Sequence, residues 1–415
     1  MKRRPGLFRQ FLRNLWSFKI TVHGKVLIGA AVLTALTGLV TFSIPIYRLF
    51  AALACVAVVA SICEIVFRPR LTVTGSPPAR ATAGLPAAAE LTLTNRSRFP
   101  AYDLSVGLFL LPPALREIAP GKTIRRLGGR RSRTVSIELL AERRGMYELP
   151  APRCYTTFPF NLVRTGPAPR RACSLMVLPS FHPIGGVDVP VGSRYQPGGI
   201  ALTSNVGESP EYIGNREYRP GDSMRRIDFR SWARLTKPIV REYLEEYYCR
   251  VALVLDTYVR RPGIKPRKGF RELEAAVSLS AAVADALSRG EYILDIFAAG
   301  PELYVFRSGR HTAHFQNVLE ILACVEESRR NPFTLVAPAL GDELANISTV
   351  ICVLLDWDAD RRALVRRAAE AGCATKVVVV RRGRTTMPTG GDEDWTGPIR
   401  VLHPKDIEGG GIDVL

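Results

Sequence analysis

Two long apolar runs open the pattern of the chain. Residues 26 to 47, VLIGAAVLTALTGLVTFSIPIY, hold no charged side chain over 22 positions, which as helix is about 33 Å, enough to cross a hydrocarbon core. Residues 49 to 67 give 19 more with Glu64 the one ionisable group, close to the exit, where its cost is small. The pattern predicts a helical hairpin in a membrane over 26–67. A secretory leader is excluded for the first run, which is too long and is followed at once by a second. Short alternating runs come next, at 71 (LTVTG), 89 (AELTLTN), 104 (LSVGLFL), 134 (TVSIELLA), 146 (MYELPAP) and 174 (SLMVLP). Period-2 strands between turn signals predict an all-β, sandwich-like domain over 69–183. From 250 the pattern changes to strands alternating with amphipathic helices. RVALVLD, YILDIFAAG, ELYVFRSG, TVICVLLD and TKVVVV read as strands; 270–290, 315–328 and ALVRRAAEAGC read as helices. That alternation predicts an α/β domain over 250–408 with a mostly parallel sheet covered on both faces. Residues 184–249 are expected to be a linker carrying an ion-rich segment, GGDEDW a loop, and 409–415 a flexible tail.

Charge sharpens this picture. There are 57 Lys and Arg against 38 Asp and Glu, a formal charge of +19. Residues 1–25 hold 7 basic residues and no acid, and residues 68–183 hold 18 against 6, whereas 184–415 holds 31 of each. A nucleic-acid reader would carry its basic stripe on a folded reading domain, so nucleic acid is not an expected partner. Basic residues before the first span and Arg68, Arg70 and Arg80 after the second, against Arg48 alone between them, put 1–25 and everything after residue 67 in the cytoplasm, making a multi-pass inner-membrane protein with both termini cytoplasmic. Arginines at strand ends of the β domain (Arg125, Arg126, Arg130, Arg131, Arg133, Arg143, Arg144) are either a solvated rim or a contact to anionic lipids. The 8 cysteines include no C-x-x-C pair, which excludes a zinc or disulfide framework.

The chemistry-bearing stretch is YIGNREYRPGDSMRRIDFRSWARLTKPIVREYLEEYYC, residues 212–249. Pro220-Gly221-Asp222 is a turn signal; Asp222 or Ser223 is expected to cap a helical segment from Met224 to Trp232, and Lys237 to Tyr248 to form a strand. Bidentate pairs between Glu217, Asp222, Asp228 or Glu242 and arginines such as Arg216, Arg219, Arg225 and Arg241 would hold the segment. Its R-E-Y-R-P-G-D-x-x-R-x-I-D-F-x-x-x-A-R and following V-R-E-Y resemble the signature of the bacterial DUF58 family. The stretch 143–162, RRGMYELPAPRCYTTFPFNL, is similar to a second family stretch, with Thr157 and Asn161 standing where the family has Asp and Gly. The resemblance implies a von Willebrand factor A-like C-terminal domain and a MoxR-type AAA+ ATPase as partner; the lack of a nucleophile-base set, the hairpin anchor and the dense Arg/Glu/aromatic segment make a non-enzymatic, membrane-tethered adaptor the expected function. The resemblance directs attention to Arg216, Glu217, Tyr218, Arg219, Pro220, Gly221, Asp222, Arg225, Asp228, Trp232, Arg241 and Glu242 as an interaction or structural segment. Such A-like domains hold Mg²⁺ through D-x-S-x-S; here Asp256-Thr257-Tyr258-Val259-Arg260 lacks both serines, so Asp256 and Asp356 define a degenerate metal site. The alternative is a divalent-metal-dependent binding module or enzyme built on Asp222, Asp228, Asp256 and Asp356. Nucleotide loops and hydrolase motifs are absent from the sequence. His182, His311, His314 and His403 are scattered, the middle two expected to start a helix, and Asp356, Asp358 and Asp360 read as capping residues.

Overall fold

The computed structural model describes residues 19–40, 44–75, 77–109, 111–119, 123–167, 173–189, 212–220, 222, 224–243, 250–259, 266, 269–290, 292–299, 303–307 and 315–415. The chain forms two compact units, Met1–Ser180 and Phe181–Leu415.

The first unit begins with helices α1 (Val22–Val40) and α2 (Ile44–Val66). By length and composition Pro45–Val66 is able to cross a membrane, while Val22–Gly38 is an apolar but shorter helix. α2 already begins at Ile44, ahead of Tyr47, to which the apolar run extended the first span. Pro45 explains the shift: lacking an N–H, it fits the first turn of a new helix and cannot continue an old one. Arg48, expected in the connection, is therefore inside α2. The expected tail also ends early, since Val22 to Lys25 are already helical; residues 1–18 lie outside the described residues.

Ten strands follow: β1 (Leu71–Thr74), β2 (Arg80–Thr82), β3 (Pro86–Asn95), β4 (Ala101–Gly107), β5 (Leu115–Ala119), β6 (Ile124–Leu127), β7 (Ser132–Ala141), β8 (Gly145–Leu149), β9 (Arg153–Thr156) and β10 (Cys173–Leu178). They make a β-rich unit of three sheets, ordered β1-β3-β7-β5, β2-β10-β8 and β6-β4-β9. Pairing is antiparallel except between β2 and β10. Alternation sets the faces of the central pair. Leu91, Leu93, Val135 and Ile137 point into a core shared with β4, β6 and β9, while Thr92 meets Thr134 and Thr94 meets Ser132 outside, oxygen to oxygen at 3.1 and 2.9 Å. A second core joins β5 and β7 to β8 and β10.

The motif ending in FPFNL ties this unit to both helices. Asn161 adopts a left-handed φ of 54°, a conformation that Asn tolerates as Gly does, so the turn survives the exchange noted in the sequence. Thr21 caps α1 through its hydroxyl, which accepts from the Gly24 amide at 3.1 Å and donates to the carbonyls of Asn161 and Leu162. The Thr21 amide donates to Leu162 O at 3.0 Å, and a Cβ on Gly24 would sit 2.3 Å from that same oxygen. Phe158 packs edge-on against Phe67, at the exit of α2, with ring centroids 5.4 Å apart, and against Tyr102 at 5.2 Å.

The second unit contains a hairpin-like pair, β11 (Tyr212–Glu217) and β12 (Ile239–Tyr243), enclosing a 3-10 turn Met224–Arg226 and the short helix α3 (Phe229–Leu235). Its body is β13 (Arg250–Leu255), α4 (Arg271–Arg289), β14 (Ile293–Ala299), β15 (Leu303–Arg307), α5 (Phe315–Cys324), α6 (Phe333–Gly341), β16 (Thr349–Leu354), α7 (Ala359–Glu370), β17 (Ala374–Val380), α8 (Glu393–Thr396), β18 (Arg400–Leu402) and α9 (Pro404–Glu408). The sheet order is β15-β14-β13-β16-β17-β18, parallel except for the edge strand β15. Val251, Leu253 and Leu255 of β13 face α4 and α5; Ala252 and Val254 face α6 and α7. Helices thus cover both faces, which is why β13 and β16 are apolar without alternation.

Three expectations are corrected here. The linker begins later than 184, because Ile184 and Val189 are buried in the core of the α/β sheet; residues 190–211 lie outside the described residues. The tail 409–415 is held, not loose: the Gly185 amide donates to Asp413 O and the Asp188 amide to Leu415 O, each at 2.8 Å, and Leu415 is buried. Within 390–395, Glu393 starts α8, fixed by Arg362 bonded to the buried Asp392 at 2.5 Å. His311 and His314 lie outside the described residues.

Candidate functional site

The described part of the signature segment is built on ion pairs. Strands β11 and β12 pair with Glu217 opposite Ile239, Arg216 opposite Val240, Asn215 opposite Arg241 and Gly214 opposite Glu242; Ile239 and Val240 are buried and seat the pair. Arg216 holds Asp222 with two bonds of 2.8 Å, and the Arg219 amide adds a third at 2.8 Å. The Asp222 amide closes the Pro220 turn onto Arg219 O at 3.0 Å, while Gly221 itself lies outside the described residues. Tyr218 is fixed by its amide on Pro238 O at 2.9 Å. Asp222 is therefore the partner of Arg216 and not the helix cap.

Asp228 is the cap of α3, accepting from the amides of Arg230 and Ser231 at 3.2 and 3.3 Å. Its other oxygen takes the Ser231 hydroxyl at 2.7 Å and Asn215 Nδ2 at 3.3 Å, and Arg241 stands 3.6 Å away. Sequence reasoning put the cap six residues early, since a turn signal precedes Asp222 but α3 starts only after the 3-10 turn. Lys237 and Glu217 pair at 3.0 Å with both side chains 67% exposed, a contact of little energetic weight. Arg225 is exposed on the 3-10 turn.

Both caged carboxylates are strongly acidic. The Arg216 guanidinium, then the Arg219 amide, hold Asp222 at about 2, below its ordinary 3.8. Asp228 is likewise held at about 2, first by the Ser231 hydroxyl, against an opposing effect of burial. Folded values below the unfolded one mean that this stabilisation is complete above pH 3.8 and is lost as the pH falls through about 2. Pepsin cleavage around Phe229 and Trp232 is accordingly expected to accelerate as the pH drops through that window. In Asp222→Asn or Asp228→Asn it should be fast already at the upper end.

The second cluster sits where the strand order of the large sheet reverses. From β13 the chain runs to β14 on one side, while β16 lies on the other, so the carboxyl ends of β13 and β16 form a switch point, the usual place for a ligand in such sheets. Asp256 and Asp356 follow those two strands. Asp256 is buried and accepts from the Tyr258 amide (2.8 Å), the Leu355 amide (2.9 Å), and Arg361 Nε and Nη2 at 2.7 and 2.6 Å. Arg361 is 2% exposed, also bonds Asp358 at 2.5 Å, and lies over the rings of Phe333 and Tyr258 at 5.1 and 5.6 Å. Asp358 caps α7 through the Arg361 amide at 3.1 Å.

Burial raises the Asp256 carboxyl against the pull of Arg361, while Arg361 is itself raised by the Asp256 charge against the effect of burial. We take the ion pair: four donors converge on the carboxylate, and arginine does not deprotonate in proteins. Asp356 accepts from the Thr386 hydroxyl and amide (2.6 and 2.8 Å), the Trp357 amide (2.8 Å) and Arg381 (2.5 Å). Burial raises it, but the Thr386 hydroxyl and amide, the Trp357 amide and the Arg381 charge together hold it below the ordinary carboxylate value.

Asp222, Asp228, Asp256 and Asp356 thus each face an arginine. Arg361 brings a positive charge directly against Asp256. Among the described residues no group of three or more His, Cys, Asp or Glu is arranged to hold a metal. Arg361, Thr386 and Arg381 were missed in the sequence; the one local signal was an arginine three residues after the capping Asp358. Burial pushes the Cys154 and Cys352 thiols up to about 12, so neither is a thiolate nucleophile near neutral pH.

The chain is therefore a two-unit protein with an apolar helix able to span a membrane, a β-rich unit, and an α/β unit that carries an ion-paired segment ahead of its sheet. Residues 214–398 match the family described as protein of unknown function DUF58, which bears out that resemblance over the segment and most of the α/β sheet. The FPFNL motif lies outside the matched residues. No curated protein matches the chain. Among solved structures, a CARDB domain from Pyrococcus furiosus is 15% identical, covering 26% of this chain and 94% of its own, with a TM-score of 0.19. A protein of unknown function from Porphyromonas gingivalis W83 is 18% identical over 28% of this chain and 52% of its own, at 0.20. The SrpA adhesin of Streptococcus sanguinis is 13% identical over 29% and 66%, at 0.19.

Proposed function

We propose that the chain is a non-enzymatic adaptor anchored in a bacterial inner membrane by both α1 and α2, with its termini cytoplasmic. In this reading the α/β unit is von Willebrand factor A-like and engages a MoxR-type AAA+ ATPase through the signature segment. The observation that carries it is the outer face of α3. Phe229 is 67% exposed, Trp232 38%, Leu235 50% and the neighbouring Met224 75%. The Phe229 and Trp232 rings stack with centroids 6.0 Å apart and, with Ala233 and Thr236, line a shallow cavity of about 380 Å³. Thr236 closes the helix at a left-handed φ of 56°, an outlier for a β-branched residue of the kind that gathers at functional sites.

Asp222 and Asp228 each face an arginine within the segment, while Phe229, Trp232, Leu235 and Met224 stand exposed among the exposed Arg225, Arg230 and Arg234. Aromatic anchors with a polar surround are the composition of an interface hot spot, and an uncovered apolar face beside a fixed polar frame is a usual mark of association. Affinity purification of the full chain from native membranes tests this. Phe229→Ala with Trp232→Ala is expected to weaken recovery of the ATPase on the order of 30-fold, the equivalent of about 2 kcal/mol. Undiminished recovery would refute the reading.

A further inference from the structure

The β-rich unit carries a second uncovered surface, unrelated to α3. It lies at the end of the four-stranded sheet where β1 starts, β3 ends and β7 starts, with Leu71 opposite Asn95 and Thr94 opposite Ser132. Three loops converge there. The Arg96 amide donates to Arg70 O at 2.8 Å, and the Arg130 amide to Ser97 O at 3.0 Å. Asn95, fully buried, donates to the carbonyls of Phe99, Leu127 and Gly128 at 2.9, 3.3 and 3.2 Å and accepts from the Ser97 amide at 3.0 Å. This one side chain moulds two of the loops around a common point. Gly129 is required beside it, since a Cβ there would lie 2.1 Å from Arg98 O.

Arg70, Arg96, Arg98, Arg130 and Arg131 project from these loops, all exposed, and Phe99 among them is 79% exposed. Among the described residues none of the five guanidiniums forms an ion pair, in contrast to Arg216 and Arg241 of the signature segment. α2 ends at Val66 and β1 begins at Leu71, so the connection reaches at most about 18 Å when fully extended. The patch is therefore leashed within a short distance of the apolar helix exit. A headgroup layer extends about 5 to 8 Å beyond the hydrocarbon, and charge is felt for about 8 Å more at physiological salt.

We propose that this end of the β-rich unit is a docking surface for an anionic bilayer, with the five arginines binding lipid phosphates and Phe99 inserted at the headgroup boundary. The proposal rests on the reading of α2 as a membrane span. Continuity with that helix selects lipid over nucleic acid as the source of phosphate: the patch is delivered to the bilayer by its own chain. An apolar side chain ringed by cations is also the composition of an interfacial anchor.

Hydrogen exchange of the full chain in nanodiscs of phosphatidylcholine alone, or with added phosphatidylglycerol, provides the test. Segments 95–100 and 127–131 are expected to exchange more slowly in the anionic discs, and molar salt, which shortens screening to about 3 Å, should erase the difference. Each of Arg98→Ala, Arg130→Ala and Arg131→Ala is expected to lower the protection ratio about fivefold, with exchange in β3 and β7 unchanged as evidence of intact folding. Phe99→Ser should reduce protection with charge untouched. Equal exchange in both kinds of disc, with α2 protected in each, overturns docking and leaves the span standing. An unprotected α2 overturns the span and docking together.

Discussion

Arg361→Met is expected to lower the unfolding free energy of the α/β unit by about 3–5 kcal/mol, the usual cost of removing one partner from a buried ion pair. The reason lies in what is left behind. Asp256 is shielded from water, and without Arg361 it keeps two amide donors, from Tyr258 and Leu355, which cannot neutralise a buried charge. Protonation would offset part of the loss, so the variant should be more stable at mildly acidic pH than at neutral pH. Arg361→Met with Asp256→Leu removes both charges and is expected to recover most of the deficit, because a buried pair contributes little over an apolar replacement of similar size. Urea unfolding followed by tryptophan fluorescence measures all three states. If Arg361→Met unfolds at the same urea concentration as the parent chain, the ion pair assigned to Asp256 is wrong.

The second large effect is expected at Asn95. Asn95→Ala withdraws bonds from three carbonyls and one amide around a buried site, a loss of roughly 3 kcal/mol when unsatisfied groups cost about 1–3 kcal/mol each and water reaches some of them. Asn95→Asp is the sharper variant. It has nearly the same shape, but an oxygen now faces the carbonyls of Phe99, Leu127 and Gly128 where a donor stood. It should therefore destabilise the β-rich unit at least as much as alanine does, with the penalty falling as the pH drops and the new carboxyl protonates. Thermal unfolding of the purified full chain in detergent, compared at neutral and acidic pH, reads both effects. An Asn95→Asp chain as stable as the parent would show that the side-chain amide does not organise these loops.

What was legible in the sequence follows from the range of the interactions concerned. Leu91, Leu93, Val135 and Ile137 announced their strands by alternation, and the unbroken apolar runs of β13 and β16 announced strands covered on both faces. Strands β2, β5, β6 and β9 were not legible: their 3, 5, 4 and 4 residues each carry arginine in place of a longer alternating run, and they form on the edges that β10, β7 and β4 offer. Helix α6 was missed because Pro338 interrupts its pattern; the carbonyl four residues earlier gives up its bond, and packing of Phe333, Val336 and Leu340 compensates.

In the signature segment the residue types were informative and their pairing was not. Arginines and carboxylates alternate so densely that several partnerships satisfy the spacing, and the register of β11 on β12, set by the buried Ile239 and Val240, decides among them. Arg361 lies 105 residues from Asp256, and only the assembled sheet brings them together. Asp256 at the end of its strand was visible in the sequence; Arg361, the cation that pairs with it, was not.

The clamp of residues 157–164 on the helices has a mechanical consequence. Thr21 and Gly24 grip this loop at the start of α1, Phe158 grips Phe67 at the end of α2, and four residues separate α2 from the first strand. With three attachments and almost no slack, the β-rich unit has no swivel of its own. Under the proposed anchoring, helices meeting a bilayer thicker or thinner than their apolar length would respond by tilting, and a unit bolted to their ends would lean with them. In that proposed arrangement membrane thickness, a property of the lipid and not of any ligand, would be translated into the attitude of a folded unit at the membrane surface.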